Sequence, residues 1–314
     1  MLNSFPEETS LMKRSRPLLI KTLTFTVLAL IAFAANSVLC RLALGENTID
    51  ASSFTSIRLL SGAVVLFIIL KFNRNKNKAS TKGSWSATLM LYLYAITFSF
   101  AYITLDTGTG ALILFGSVQI TMILLSLISG YRLHITEWIG VIVAFVGFVY
   151  LVLPGVTAPS AAGFSLMTLA GFGWGVYTIK GRGSANPLSD TAYNFIRSIP
   201  LIIVLAALTF KYAHISAEGI LLAMISGGIT SGIGYTIWYT ALGGLSATLA
   251  AVVQLSVPVI AALGGVIFVS EQISMRLTLS ALLILGGILM VILGRYYLSY
   301  KRNIDEDKCA TAEP

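Results

Sequence analysis

Between residues 18 and 297 the chain is a succession of apolar runs, each close to a bilayer in length and separated from the next by a short polar break. A stretch of roughly 18 or more mostly apolar residues is a candidate membrane helix. Ten such segments can be read: Leu18–Cys40, Ser53–Leu70, Ser86–Leu105, Gly108–Ser129, Glu137–Leu153, Gly163–Lys180, Thr191–Leu208, Ala217–Ala241, Ser246–Val269 and Met275–Arg295. Lipid offers no partner to a backbone N–H or C=O, so each run must satisfy its own hydrogen bonds as a helix. A β-barrel would need short alternating segments, and these runs are continuous. The expected fold is an all-α polytopic membrane protein with ten transmembrane helices. Its expected division is a tail at 1–17, five helices in 18–153, five more in 160–297 and a second tail at 298–314.

Charge supports the same solvent. Only 11% of the residues are charged, against about 25% in a soluble domain, and the mean hydropathy is +0.85. The net charge of +8 does not imply nucleic acid, because the basic residues sit at segment ends and form no patch interleaved with aromatics. Cys40 and Cys309 lie in an apolar segment and a polar tail, so no disulfide framework is expected. Metal-ligand spacing is absent, and neither a metal nor a cofactor is expected. Lys13, Arg14, Arg16 and Lys21 precede an apolar run as in a secretory signal, but no small-residue cleavage site ends that run, and a first transmembrane helix is the better reading.

The basic residues also orient the chain. A ten-helix count puts Lys13, Arg14, Arg16, Lys21, Lys71, Arg74, Lys76, Lys78, Lys82, Arg132, Lys180, Arg182, Arg295, Lys301, Arg302 and Lys308 on one side, 16 of the 21 Lys and Arg. The other side has Arg41, Lys211 and Arg276; Arg58 and Arg197 lie within helices. Lys and Arg concentrate in cytoplasmic loops, so both termini are expected in the cytoplasm, in a bacterial-type inner membrane. The chain also repeats itself. Residues 110–133 lie on 250–273 without a gap, and the same shift pairs Phe98 with Trp238 and Gly147 with Gly287. Shifts one residue either side pair Arg58 with Arg197 and Asn36 with Tyr177. Five helices is an odd number, so the second half must be inverted relative to the first, a common plan among secondary transporters.

These residues resemble the EamA family of the drug/metabolite transporter superfamily, built from two five-helix repeats. SVPVIAALGGVIFVSEQIS (256–274), followed by LLILGGILMVI, is similar to the family's proline-containing helix ending in Glu and the helix after it. GFGWGVYTIKGR (171–182) is similar to the helix that opens the second repeat, FTSIRLL (54–60) to the arginine-bearing start of the second helix, and GYTIWYTAL (234–242) to the aromatic end of the eighth. The resemblance covers nearly all of 22–297. The first repeat departs from it with Val118 against Pro258, Tyr131 against Glu271, and Phe33 where the family often has Trp, as at Trp174. The resemblance implies a carrier of a small, amino-acid-like metabolite, acting outward by alternating access.

Polar groups inside a membrane are costly, and each invites a functional reading. Arg58 lies roughly 7–8 Å from the end of its helix. It snorkels to the headgroups, presents a charge to an anionic or zwitterionic substrate, or latches one helix to another, and Arg197 poses the same choice. Asn36 and Gln119 must find partners when buried. Pro258 cannot bond the carbonyl of Gln254, four residues earlier, which either opens polar backbone to a cavity or merely bends the helix. Tyr235 and Trp238 share a face with Gly228 and Ser231, and Trp174 and Tyr177 share another, as cavity walls or as an interfacial belt. Phe98 is drawn in by its repeat partner Trp238. Gly171 and Gly175, and Gly228 and Gly232, have the small-xxx-small spacing of close helix packing. No Asp or Glu sits at a helix centre, so proton coupling, exchange and uniport all remain open. Rival readings are a membrane-embedded enzyme, for which only His134 and Glu137 come near one another, in what reads as a solvated loop, and an accessory membrane subunit. No phosphate-loop motif is present for a nucleotide-driven pump. The expected partners are the lipid bilayer and a small molecule, and both a monomer and a homodimer fit.

Overall fold

In the computed structural model of the chain, the structure describes residues 7–72, 81–130, 133–153, 158–181, 184–245 and 247–310. Ten helical spans make up the described residues. They are α1 (Glu7–Gly45), α2 (Ala51–Phe72), α3 (Trp85–Ala101), α4 (Thr107–Ile128), α5 (Ile135–Val152), α6 (Ala161–Gly181), α7 (Pro187–Tyr212), α8 (Ala217–Leu242), α9 (Ala250–Val269) and α10 (Met275–Ala310). Seven are long and apolar enough to cross a membrane, and α3 and α5 are apolar but shorter. The chain is an all-α, multi-pass membrane protein. Arg74, Lys76, Lys78, Tyr131, Arg132 and Arg182, on which part of the charge and repeat argument rested, lie outside the described residues.

Local chemistry explains where the spans begin. α7 starts at Pro187 rather than Thr191, because Asn186 Oδ1 accepts the Ser189 N–H at 3.3 Å and Pro187 supplies a helix-compatible φ. The His134–Glu137 pair corrects half of an expectation: His134 is exposed and caps α5, as a solvated position, but Glu137 is buried in the helix's first turn. Glu137 is fully buried, and its Oε2 accepts the His134 N–H at 2.8 Å, which satisfies a donor that the first helical turn leaves open.

Packing shows the repeat directly. α3 lies on α6 as α8 lies on α1, and α4 lies on α6 as α9 lies on α1. The pairs α2–α7, α4–α9 and α5–α10 meet across the axis between the halves. At the α5–α10 crossing, a Cβ on Gly140 would come 2.5 Å from the Gly287 carbonyl, and one on Gly287 would come 2.5 Å from the Gly140 carbonyl. Only glycine permits that approach, which lets two apolar helices gain contact area without a hydrophobic driving force between them.

The second repeat is the broken one. α7 is interrupted at Ser198, just before Pro200. α9 is interrupted at Leu255–Ser256, just before Pro258. α8 widens into a π-helix over Ile225–Ile233. Proline explains the first two. The π segment carries Ser226, Thr230 and Ser231 toward the centre of the molecule, and such widenings recur at functional sites.

Candidate functional site

At the interface of the halves, α1, α2, α3 and α8 meet around one cation. Arg58 is 1% exposed. Its Nη2 donates to the Tyr94 hydroxyl at 2.9 Å and to the Tyr235 hydroxyl at 3.5 Å, and its Nε donates to Ser231 Oγ at 3.2 Å. Its guanidinium carbon lies 5.2 Å from the Tyr94 ring centre and 4.9 Å from that of Phe98. Asn36 closes the network: its Nδ2 donates to the Tyr94 hydroxyl at 3.3 Å, and its Oδ1 accepts from Ser226 Oγ at 2.6 Å and Thr230 Oγ1 at 3.2 Å. A Cβ on Gly227 would collide with the Arg58 carbonyl, so that glycine lets the π segment of α8 reach α2.

Magnitudes show what this arrangement costs. Removing one ion from water costs several kcal/mol even after relaxation. Bonds from the charged Arg58 to hydroxyls return about 1.5–3 kcal/mol each, and a desolvated cation–π contact returns about 2 kcal/mol. These contacts offset the cost of burial, but two things remain undone. No carboxylate pairs with Arg58 among the described residues, and its buried Nη1 has no hydrogen-bond partner there.

Aromatic rings continue from this cation. Tyr94 stands 5.0 Å from Trp174, Trp174 stands 4.7 Å from Tyr235 and 5.6 Å from Tyr177, and Phe33 stands 6.0 Å from Trp174 and 5.7 Å from Trp238. Tyr177 then lines a cavity of about 390 Å³ with Lys82, Lys180, Asp190, Asn194 and Tyr239. This cavity lies at the face bearing the α2–α3 and α6–α7 loops, hereafter the basic face.

The far face is closed by charge. Arg41 at the end of α1 donates from Nε to Glu271 Oε1 at 3.1 Å and from Nη1 to the Tyr102 carbonyl at 3.3 Å, with Asp106 Oδ1 3.5 Å from Nη2. The Glu271 carboxylate also accepts the Thr107 N–H at 2.9 and 3.0 Å, and so caps α4 from the opposite repeat. Ser270, in a left-handed conformation with φ 57°, and the bond from the Glu271 N–H to the Gly265 carbonyl turn the carboxylate inward. A shallow cavity of about 330 Å³ outside this lock is lined by Thr104, Asp106, Ser160 and Glu271.

The residues singled out in the sequence therefore separate. Asn36, Arg58, Phe98, Trp174, Tyr235 and Trp238 come together in one buried cluster, with Tyr177 leading from it toward the basic face. Trp238 is buried against Phe33 and is not an interfacial anchor. Arg197 does not join them: its Nη1 donates to the Lys82 carbonyl at the basic face. Gln119 donates to the Ala251 carbonyl across the α4–α9 crossing at 3.5 Å, and Gln254 donates to the Ala250 carbonyl of its own helix at 3.3 Å. Pro258 lines an apolar groove of about 440 Å³ between α9 and α10. Sequence reasoning missed Tyr94, Ser226 and Thr230. Tyr94 was accessible, since it lies four residues before Phe98 on the same helical face. Ser226 and Thr230 were not, because a π-helix shifts the residues that share a face.

A family model described as EamA-like transporter family matches residues 20–153 and again residues 161–293. The chain belongs to this family. A relative described as an uncharacterized protein, from Pseudomonas aeruginosa, is 44% identical over 275 residues, which cover 88% of this chain and 96% of that one. A crystal structure of another protein, 18% identical, shares the fold with a TM-score of 0.58 and covers 85% of this chain and 96% of its own. In this EamA-like protein the two matched regions are the two halves whose interface holds Arg58.

Proposed function

We propose that the chain is a secondary carrier that moves a small metabolite outward across a bacterial inner membrane by alternating access. Both termini face the cytoplasm, and the cluster of Asn36, Arg58, Phe98, Trp174, Tyr177, Tyr235 and Trp238 receives the substrate. One observation carries this reading: a cation with no carboxylate partner among the described residues is buried between the two repeats, with Tyr177 of its aromatic cluster lining a cavity at one face and a charged lock across the other. Intramembrane charge placed at a repeat interface is the arrangement expected of a transport site. The excess of Lys and Arg on the face with the open cavity supports loading from the cytoplasm.

A growth screen tests the proposal. Cells expressing the full chain, the Arg58→Gln variant or neither are grown on a wide panel of metabolites at inhibitory concentrations. Resistance to a compound should appear with the native chain and disappear with Arg58→Gln at equal membrane abundance. A flat profile across the panel sinks the export reading. Liposome flux of any hit, with and without a pH gradient, then separates proton coupling from exchange or uniport.

A further inference from the structure

The chemistry left over around Arg58 names a substrate class, given the carrier reading above. Each acceptor named in the cluster already takes a donor: Asn36 Oδ1 takes two hydroxyls, the Tyr94 hydroxyl takes both Arg58 Nη2 and Asn36 Nδ2, and Ser231 Oγ and the Tyr235 hydroxyl each take one from Arg58. The group left over is a donor, Arg58 Nη1, buried and without a partner among the described residues. The cavity at the basic face, reached from the cluster through Tyr177, repeats the bias. Among the described residues Lys82 and Lys180 line it against the single carboxylate of Asp190, which is taken by the Gly83 N–H at 2.7 Å and by Ser184 Oγ. The remaining described carboxylates near the route, Asp106 and Glu271, are committed to Arg41 at the far face. The rings of Trp174, Phe33 and Trp238 pack onto Tyr94 and Tyr235, whose hydroxyls bond the cation, and offer an apolar wall.

We infer that the substrate is an organic monoanion, a carboxylate on an apolar or aromatic body, whose carboxylate is received by Arg58 Nη1 and whose body lies against the rings around Trp174. A zwitterion would bring an ammonium next to the Arg58 charge at a site with no carboxylate to receive it among the described residues. A cation would meet Arg58 directly. A dianion would find one guanidinium where two cations are needed. Carried alone, a monoanion moves one negative charge per cycle, whereas a zwitterion moves none.

The test uses the full chain in lipid nanodiscs and a panel in which the body is fixed and the charge varies: 3-phenylpropionate, its amide, phenylalanine and phenethylamine, and hexanoate, hexanamide, leucine and hexylamine. Quenching of tryptophan emission reports binding beside Trp174 and Trp238. The carboxylates are expected to bind roughly 10–100-fold tighter than the amides and amino acids, the value of one charge-assisted hydrogen bond. Arg58→Gln should erase that preference, and Arg58→Lys should keep part of it. Ser231→Asp guards against a folding artefact. It gives Arg58 an internal carboxylate partner, so it should preserve or raise thermal stability while abolishing carboxylate binding. A purely structural Arg58 predicts no change in charge preference in any of these variants. In proteoliposomes, carboxylate flux by uniport should speed up when the receiving compartment is made positive, and flux that ignores voltage marks proton coupling or anion exchange. Tighter binding of an amino acid or amine, a charge preference that survives Arg58→Gln, or no response to either carboxylate overturns the inference. Flux of an amino acid or amine would do so while leaving the carrier reading intact, whereas a flat result in both this flux assay and the growth screen would remove both.

Discussion

The mouth at the basic face and its counterpart at the far face descend from equivalent segments and stand in opposite states. Around the mouth, Tyr177, Lys180, Asp190, Asn194 and Tyr239 line a cavity. The residues 140 positions earlier are Ser37, Cys40, Asp50, Phe54 and Ser99, and four of the five are at most 1% exposed. The tethers are similar on both sides. Asp190 holds the Gly83 N–H of the α2–α3 loop, and Asp50 holds the His214 N–H of the α7–α8 loop at 3.0 Å. What differs is filling. α1 runs on past Arg41 to Gly45 and buries Ala43 and Leu44, while Ile49, 1% exposed, pairs with Ile215 in a single antiparallel bridge. The position equivalent to Arg41 near the mouth is Gly181, and the sequence has Tyr131 where the far face uses Glu271. Two surfaces related by the repeat thus differ through a few side chains, not through topology. That is what a carrier needs if one arrangement is to open as the other closes.

The largest expected effect comes from making the closed side permanent. Thr48 and Ser216, and Asp50 and His214, bond on either side of Ile49 and Ile215, which leaves the two isoleucines as a pair about 4.5 Å apart at Cα, within disulfide reach. In a Cys309→Ala background, Ile49→Cys with Ile215→Cys should abolish flux when oxidised and recover it on reduction. Undiminished flux in the oxidised protein would show that the far face need not open there.

Removing the charge of the lock comes next. Glu271→Gln weakens its bonds to Arg41 and to the Thr107 N–H, worth about 1.5–3 kcal/mol each. Thiol labelling from the far face at Ala51→Cys should rise by tenfold or more. Labelling that stays at the native rate would assign the closure to the apolar filling alone.

The tethers should matter less and should match. Asp50 Oδ1 accepts the Ser52 and Ser53 N–H groups at the start of α2, at 3.1 and 3.0 Å. Loss of such a cap costs about 0.5–2 kcal/mol. Asp50→Ala and Asp190→Ala should lower thermal stability by similar amounts in detergent, and a clear inequality would break the equivalence drawn above. The smallest effect is expected at Arg197, whose guanidinium serves the Lys82 carbonyl at the protein surface. Arg197→Gln should change flux by about twofold at most, against the loss expected for Arg58→Gln. Equal losses would restore a shared role for the two arginines.

The paired arginines mark the limit of what could be read in advance. Their matching places in the two halves imply one role, yet Arg58 turns inward to hydroxyls and rings while Arg197 turns outward to a carbonyl. Direction depends on which neighbour presents a partner, and for Arg58 those partners are Tyr94 on α3 and Ser231 and Tyr235 on α8. Gln119, Gln254 and Pro258 teach the same lesson, since each drew notice as a polar or helix-breaking group and each belongs to the α4–α9–α10 side of the bundle. The aromatic faces of α6 and α8 could be read beforehand because helical spacing alone gathers Trp174 with Tyr177 and Tyr235 with Trp238.

The sequence by itself determined the solvent, the ten helices and the inversion of the halves. Each follows from the free energy of placing backbone and charge in lipid, a local property that a run of residues carries wherever it packs. Only the tertiary structure decided that Arg58 has no carboxylate partner among the described residues and lies beside a cluster of tilted and edge-on rings, that Glu271 caps a helix of the other half, and that the segment around Tyr177 lines a cavity while its equivalent in the first repeat is filled. Those are statements about neighbours from distant parts of the chain, and no residue states in advance who its neighbours are.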